Sequence, residues 1–467
     1  MRVWAPMHNV AGARIIVGTI RTLDELRPEA EAMLIVGDRV SAIGSIDEVR
    51  DAAPDGIVEE HFAGVIVPGF IDAHSHAQRA GLKALQLLPE GADATEFSAV
   101  MLADGDADPD APDWLGAEPP RIEDRLAALR VVQPLLHAMG FTGVIDPAVT
   151  IDELAGYREA HRRGELTLRV VAMPWPQLGS PAVPTVEAAL EILDSIDGAT
   201  GDGDDRLRLG PIKVYYDGEG MKGQALLETP WANEDHGVQR LSAAEFARLA
   251  TECVSRGWGL GVHAVGSRAV AEVLAGLESA GAPEVIEPLR CQLIHAYLEP
   301  SAESMRLAAR LGVVASLQPS IAWNNAAGLA HRLGDRVLPV NPMRDWVDAG
   351  AIVAMGSDAP YFPFNPREVV PVAVDRRMRG LAEPVGPEQG ISVLEAVQAY
   401  TRGAAHASFA EDRRGMLREN FLADWVLLDV DPTQSTALEF AASVVLRTEV
   451  GGVPVFQSSP DSPSSNL

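Results

Sequence analysis

The long middle of the chain alternates short apolar runs with amphipathic stretches. Amphipathic runs such as "AAEFARLATECVSRG" end in glycine, a typical helix stop. Eight apolar runs are rich in β-branched residues and predict strands: "VIVPGFIDA", "FTGVID", "LRVVAMP", "GPIKVYY", "WGLGVHA", "CQLIHA", "GVVASLQP" and "AIVAMGSDA". Eight strands with helices between them favour an α/β fold of the (β/α)₈ barrel type. A doubly wound open sheet is the alternative, but no G-x-G-x-x-G follows an early strand.

Both ends of the chain have a different texture of short strands and turns. Gly37–Asp38 is a hairpin turn between two half-buried strands, and "LADWVLLDVDP" shows a similar pattern near the other end. We therefore predict one small β-sandwich built from residues 1–64 and 419–457, flanking a barrel domain at 65–418. The last residues, 458–467, have the composition of a disordered tail.

The segment from residue 89 to 120 is too rich in Asp, Pro and Ala for a core element. We expect an exposed excursion after the first strand of the barrel, which could be a lid, a subunit contact or a plain solvated loop.

Composition limits the function. A net charge of −28 argues against a nucleic-acid surface and against a strongly anionic substrate. The two cysteines, Cys253 and Cys291, are too few for a disulfide scaffold. No signal peptide or membrane-spanning run is evident, so a cytoplasmic protein is expected.

Polar residues interrupt the predicted strands where each strand ends. In a barrel enzyme the chemistry lies at these carboxyl ends, and an unpaired polar group there would be costly. Imidazole and carboxylate are ligands of Zn²⁺ and similar divalent ions, so these residues predict a metal site. They are His74 and His76 on the first strand, Lys213 on the fourth, His263 on the fifth, His295 on the sixth and Asp358 on the eighth.

Lys213 differs from the other members because an ammonium group would repel a metal ion. A neutral lysine amine can instead add carbon dioxide to form a carbamate whose two oxygens bridge two cations, and arginine could not do this. The chain has only three lysines among 38 basic residues, so a lysine at a strand end fits a chemical need.

Seven segments, in order, resemble the metal-dependent amidohydrolase superfamily and closely its YtcJ-like branch. They are "VPGFIDAHSH", "GPIKVYYDGEG", "GVHAVGSRAV", "IHAYLEP", "VVASLQPS", "VAMGSDAPYFPFNP" and "AYTRGAAHASFAEDRRGML". The resemblance covers the chain nearly end to end. It implies a distorted TIM barrel with a β-sandwich joined from the two termini.

The resemblance also implies a site with two divalent metal ions, most commonly zinc, with manganese, iron or cobalt as alternatives. His74, His76 and Asp358 would hold the more buried ion, His263 and His295 the second, and carbamylated Lys213 would bridge them. A bridging hydroxide would be the nucleophile and Asp358 the general base and acid. A homodimer is expected from the family alone.

Two departures from the family limit what the resemblance implies. Ser267 stands where members commonly have Asp, so the residues that support His263 are expected to differ. The distance along the chain from His76 to Lys213 is shorter than in many members, which weakens inference from relatives about the substrate. The candidates for substrate contact are Asp217, Gln318, Trp323 and Tyr361.

The leading hypothesis is hydrolysis of a C–N bond in a small amide, cyclic amide or N-formyl/N-acyl compound. One rival is a mononuclear deaminase of a heterocyclic base, which normally needs an acidic residue near His263 and no lysine on the fourth strand. Ester or lactone hydrolysis by the same site stays open. A barrel that has lost catalysis is disfavoured because all six ligand positions are filled.

Overall fold

A computed structural model describes residues 12–89, 91–103, 119–232 and 234–458. Predictions for the first eleven residues, for half of the acidic segment (residue 90 and residues 104–118) and for the tail after residue 458 lie outside these ranges. No helix within them is long and apolar enough to cross a membrane.

The described residues form sixteen strands. In chain order they are β1 (Ala13–Arg21), β2 (Glu29–Val36), β3 (Arg39–Gly44), β4 (Val58–Pro68), β5 (Phe70–Asp72), β6 (Phe141–Val149), β7 (Arg169–Pro174), β8 (Leu207–Leu209), β9 (Ile212–Tyr215), β10 (Leu260–Gly266), β11 (Gln292–Leu298), β12 (Val314–Leu317), β13 (Val353–Met355), β14 (Trp425–Leu428), β15 (Val445–Val450) and β16 (Val453–Gln457).

Helices occupy most of the connections between these strands. The α-helices are α1 (Ile46–Ala52), α2 (Ala77–Leu87), α3 (Ala94–Ala103), α4 (Ile122–Ala138), α5 (Ile151–Arg162), α6 (Val186–Asp194), α7 (Ala243–Ser255), α8 (Ser267–Ala280), α9 (Pro283–Ile286), α10 (Ala302–Leu311), α11 (Pro319–Leu333), α12 (Met343–Asp348), α13 (Pro366–Asp375), α14 (Val393–Gln398), α15 (Ala404–Ala407) and α16 (Ala437–Ala441). Short 3₁₀ turns span Glu287–Leu289, Gly334–Val337 and Pro387–Gln389, and a π-helical turn spans Ala399–Gly403.

Local chemistry fixes where many of these helices begin. Thr150 before α5 and Ser242 before α7 each accept a hydrogen bond from the backbone N–H three residues on. Glu153 and Glu245 return the contact to the backbone N–H of the capping residue. Each capping box satisfies two amide donors that the helix itself leaves unbonded.

The eight strands predicted in the middle segment are all present, and with β8, which was not predicted, they form two parallel sheets. One has the order β5-β6-β7-β8 and the other β9-β10-β11-β12-β13. Their regular parallel order and the intervening helices agree with a mixed α/β fold.

Strand pairing among the described residues does not join the two sheets into one, so a closed barrel is not observed. The sheets nevertheless approach each other at both ends of their order. Ala73 N donates to Met355 O over 3.0 Å, and Ser75 forms an isolated parallel bridge with Ala359. At the other end, only Gly210 and Pro211 separate β8 from β9.

Both chain ends contribute to one mixed seven-stranded sheet, which we call the composite sheet. Its order is β16-β15-β14-β4-β1-β2-β3, so β4 lies between the first and last parts of the chain. Alternation along β1 places Ile16 in an apolar cluster with Trp425 and places Ile15 in a second cluster with Leu34. Joining of the two ends agrees with the prediction, but the described strands form one sheet, and the two-sheet sandwich stays a prediction.

Two details differ from the sequence prediction. The run "VIVPGFIDA" is two strands, because β4 pairs with β1 and β14 in the composite sheet and only β5 joins the parallel strands. β4 therefore crosses the predicted domain boundary at residue 64. In the acidic segment, residues 94–103 form α3, which buries Phe97 and Met101. An entirely exposed excursion was wrong because apolar residues at helical spacing pack this part against the core.

A buried group of charges links the composite sheet to the parallel strands. We call Arg169, Arg414 and Asp424 the junction cluster. Arg169 donates to both Asp424 oxygens over 2.6 and 2.8 Å, and Arg414 Nε donates over 3.1 Å. The N–H of Gly451 supplies a further bond to Asp424 over 2.7 Å. The carboxylate is thus fully used in holding the fold together.

Candidate metal centre

The six predicted ligands lie within or just beyond five different parallel strands, and each is at most 5% exposed. Lys213, His263 and His295 are within β9, β10 and β11, whereas Asp358 follows β13. His74 and His76 lie just beyond β5 rather than in it, because the strand ends at Asp72.

Three of these residues could share one ion without rearrangement. Among the described residues, ligand atoms of His74, His295 and Asp358 all lie within 4.8 Å of one another. His76 lies near the same carboxylate oxygen as His74. Asp358 Oδ1 is 3.4 Å from His74 Nε2 and 3.3 Å from His76 Nε2.

These two distances fit a shared metal ion better than direct ion pairs. Charge-assisted hydrogen bonds bring N and O to about 2.7–2.9 Å. Two ligands held at about 2.0–2.2 Å by one tetrahedral zinc ion lie roughly 3.3–3.5 Å apart. The spacing around Asp358 is compatible with neighbouring ligands of one tetrahedral ion.

His263 and His295 also lie close to each other, and His295 lies close to His74. The ring centroids of His263 and His295 are 4.7 Å apart, and those of His74 and His295 are 5.1 Å apart. His263 Nε2 is buried without a hydrogen-bond partner, which is costly unless a ligand uses it. The nitrogen donors of His263 and His295 therefore also suit a divalent ion.

Burial keeps these imidazoles neutral. It lowers the pKa of His74 to about 4 and places the pKa values of His263 and His295 well below the usual range. A metal ion needs the lone pair of an unprotonated ring nitrogen, so this state suits coordination.

Lys213 lies among the histidines. Its charge lowers the pKa of His74, His263 and His295, so it is within electrostatic reach of all three. Its Nζ is 4.8 Å from the ring centroid of Tyr215, two residues further along β9. Lys213 is therefore buried near the histidines, and its role as a bridging ligand stays a prediction.

Asp72 links the backbone of His74 with the backbone next to Asp358. Asp72 Oδ1 accepts the N–H of His74 over 3.1 Å and that of Ser357 over 3.0 Å, and Ser357 Oγ donates to Asp72 Oδ2 over 2.5 Å. A side chain at Gly356 would lie 2.5 Å from His74 N, so only glycine permits this approach of the first and last strands.

Gln318 has a definite partner at the site. Its Oε1 is 2.8 Å from His295 Nδ1, and its Nε2 donates to Ser316 Oγ over 3.2 Å. A proton on Nδ1 leaves the lone pair of His295 on Nε2. This contact orients a ligand, and contact with substrate stays a prediction.

Asp217 is completely buried and holds backbone. Its carboxylate accepts N–H groups from Val265, Gly266 and Leu226 over 2.9, 2.9 and 3.0 Å. Burial raises the pKa of Asp217 to about 7 in spite of these bonds. These contacts fix the end of β10. Asp217 Oδ1 also lies 3.7 Å from His263 Nε2, and a role in substrate binding stays a prediction.

The two aromatic candidates differ in their surroundings. The ring of Tyr361 is half-buried and 5.5 Å from that of His76, which places it beside the centre. Trp323 lies in α11, where its ring carries the guanidinium of Arg379 at 5.6 Å. A substrate contact stays a prediction for both.

Three further residues near the centre were not among the predicted ones. Tyr215 has its ring 5.2 Å from that of His263, and alternation from Lys213 along β9 could have found it. Glu219 Oε1 is 4.0 Å from His263 Nε2, and Asp146 Oδ1 is 3.7 Å from His76 Nδ1. No sequence pattern links these last two to the histidines, because only the fold brings them together.

Comparisons with known proteins agree with this arrangement. A sequence model described as the amidohydrolase family matches residues 115–456. An N-substituted formamide deformylase of Arthrobacter pascens is 25% identical over 96% of this chain and 98% of its own length. The putative amidohydrolase YtcJ of Bacillus subtilis is 29% identical over 54% of this chain and 48% of its own length.

Solved structures show the same fold. An uncharacterized metal-dependent hydrolase from Pyrococcus horikoshii superposes with a TM-score of 0.74, 19% identity and coverage of 91% of this chain and 99% of that one. Atrazine chlorohydrolase TrzN from Arthrobacter aurescens, solved in complex with zinc, gives a TM-score of 0.59 at 18% identity over 94% of each chain.

Proposed function

The chain belongs to the amidohydrolase family, in its YtcJ-like branch, as a hydrolase of C–N bonds, and we propose that it cleaves a small amide, cyclic amide or N-formyl/N-acyl compound. The observation that carries the proposal is the convergence of His74, His76, His263 and His295 with Asp358 on one buried centre. Nearly end-to-end similarity to a formamide deformylase supports the N-formyl member of this class.

The residues present suit two divalent ions, with zinc as the first expectation. His74, His76 and Asp358 would hold one ion, and His263 with His295 the other. A divalent ion bound there lowers the pKa of a water molecule toward 7 and polarises the bond to be cleaved. Asp358 accepts the proton of the attacking water and passes it to the leaving nitrogen.

Lys213 would connect the two proposed ion sites. Its neutral amine adds carbon dioxide, forming a new N–C bond and releasing one proton, and the resulting carbamate carries a negative charge. This change replaces a cation with an anion at a centre built for cations, which makes the buried position of Lys213 favourable.

The same premise supports the finer architecture. We infer one distorted eight-stranded barrel in which β8 and β9 are two segments of a single strand. The backbone contacts between the ends of β5 and β13 support closure. The composite sheet would then be the second domain, corresponding to the predicted β-sandwich.

The experiment is a substrate panel assayed for both products. N-substituted formamides, N-acyl amines and cyclic amides are incubated with the metal-loaded protein, and the released amine and carboxylate are quantified. Asp358→Asn is expected to lower turnover by about 10²–10⁴-fold, because proton transfer is lost. His161→Ala, at an exposed histidine paired with Asp204, should leave turnover unchanged. Turnover near the wild-type rate in Asp358→Asn would contradict the assignment.

Deamination of a heterocyclic base is the second candidate, and one contact favours it. Such an enzyme needs an acidic group near His263, and the sequence places none directly after this residue. The structure supplies Glu219 from the loop after β9, with Oε1 4.0 Å from His263 Nε2. Aminated pyrimidines and triazines therefore join the panel, with ammonia release as their readout, and lactones join it with acid release.

A further inference from the structure

We propose that Asp146 is the positioning residue of His76, accepting the Nδ1 proton of that imidazole so that Nε2 faces the metal centre. The inference rests on the proposed function, since it assigns to Asp146 the support of a metal ligand.

The fold brings β6 directly beneath the histidine pair. Ser75 N donates to Ile145 O over 3.0 Å, which places the next residue of β6, Asp146, against the His-Ser-His turn. Asp146 Oδ1 lies 3.7 Å from His76 Nδ1, and both side chains are at most 4% exposed. A buried carboxylate at this distance from a buried imidazole calls for a shared proton or another ligand.

The other oxygen of Asp146 is anchored. The Tyr157 hydroxyl donates to Oδ2, and Gln78 N lies 3.4 Å from the same atom. These contacts fix the plane of the carboxylate and leave Oδ1 directed at the imidazole. Tyr157 comes from α5, so a helix outside the parallel strands sets the orientation of a carboxylate inside them.

His76 has a ring nitrogen that needs a hydrogen-bond acceptor. Its Nδ1 is buried without a hydrogen-bond partner, while Nε2 lies 3.3 Å from Asp358 Oδ1. A proton held on Nδ1 leaves the lone pair on Nε2, and metal-binding histidines almost always donate their other ring nitrogen in this way. The 3.7 Å between Asp146 Oδ1 and His76 Nδ1 exceeds the length of a hydrogen bond, so the proposed bond requires the two groups to move closer together.

The neighbouring buried carboxylate serves a different purpose. Glu153 Oε1 accepts from Arg79 Nε over 3.0 Å, and its Oε2 accepts the N–H of Thr150 over 2.8 Å. Glu153 therefore stabilises the start of α5. Of the two carboxylates, Asp146 is the one aimed at a ligand of the metal centre.

The test measures metal affinity by competition with a chelator, using the full chain and zinc as the probe. Asp146→Ala is expected to bind zinc about 10–100-fold more weakly at the tightest site, the usual cost of losing such support. Asp146→Asn keeps the shape and a neutral acceptor, so a smaller loss is expected. Tyr157→Phe should also weaken binding, by less than Asp146→Ala. Asp152→Ala, an exposed aspartate on α5, is the matched control and should bind as the wild type does.

The outcomes separate the two proposals. If the wild type binds zinc but both Asp146 variants bind it within twofold of the wild type, this inference is overturned and the proposed function stands. A wild type without divalent metal overturns both. Should Asp146→Ala not fold, Asp146→Asn decides. Melting of the metal-free proteins gives the readout for a purely structural role, which would lower stability without changing the affinity of the folded chain.

Discussion

The molecule buries two groups of charged and polar residues that differ in how completely they are satisfied. In the junction cluster, both oxygens of Asp424 are bonded to Arg169, and Arg414 and Gly451 add further contacts. At the metal centre, buried ring nitrogens of His74, His76 and His263 have no hydrogen-bond partner.

The difference teaches what each group is for. A satisfied buried charge network contributes to folding, and removing one member leaves the others uncompensated. The unpartnered His263 Nε2 is retained at a cost to stability that a bound metal ion would recover. The Nδ1 atoms of His74 and His76 instead need an acceptor behind the ligand, because their Nε2 atoms lie beside Asp358. Substitutions in the junction cluster should therefore affect unfolding, and substitutions at the metal centre should affect binding and turnover.

The largest expected effect on stability is in the junction cluster. Asp424→Asn should lower the free energy of unfolding by about 3–5 kcal/mol, because two buried guanidinium groups lose their counter-charge. Metal content per folded chain should stay at the wild-type value. Denaturant titration measures the loss, and Asp412→Asn, with a side chain 72% exposed beside Arg413, should cost at most about 1 kcal/mol. If Asp424→Asn lowered the free energy of unfolding by less than about 1 kcal/mol, the claim that the junction cluster serves stability and the metal centre serves binding would be contradicted.

Lowering the pH should remove part of the stability that the junction cluster contributes. Burial raises the pKa of Asp424, but the charges and hydrogen bonds of Arg169 and Arg414 outweigh it and hold the pKa at about 2. Since the folded pKa is below the ordinary 3.8, this stabilisation is complete above about pH 4 and is lost as pH falls toward 2. The difference corresponds to about 2 kcal/mol. Unfolding of wild type and Asp424→Asn, compared from pH 5 to pH 2, should show the gap between them narrowing, and a constant gap would argue against this pKa.

A smaller effect is expected from Gln318, on the ligand-binding side of the comparison. Gln318→Leu removes the acceptor for His295 Nδ1 and should weaken metal binding about tenfold. Gln318→Glu retains an acceptor oxygen and should recover much of the affinity. Calorimetric titration of metal-free protein measures both, and equal affinities in Gln318→Leu and wild type would remove Gln318 from the support of His295.

The sequence predicted the parallel strands of the middle segment, and it selected side chains that the structure brings to one buried centre. Each proposed ligand interrupts or follows an apolar run, which can be recognised in the sequence alone. Parallel strands then bring these positions together at one edge of the sheet. The division of "VIVPGFIDA" was not predictable from periodicity, since β4 and β5 are both buried runs and differ only in their partners.

Support of the ligands was beyond the sequence for a different reason. Asp146 is 70 residues from His76 and Gln318 is 23 residues from His295, so only tertiary packing creates these pairs. Asp217 shows the same limit of the sequence. Its position after Lys213 suggested a substrate contact, but its oxygens bond backbone N–H groups that the sequence does not reveal.

The central claim is a pair of ions joined through Lys213, and metal content per chain tests it most directly. Elemental analysis of protein purified without chelator should find two ions in the wild type and fewer in Lys213→Ala. Lys222→Ala, at an exposed lysine of the following loop, should match the wild type. One ion per chain in wild type and Lys213→Ala alike would contradict the bridging role and redirect the search for substrates to aminated heterocycles.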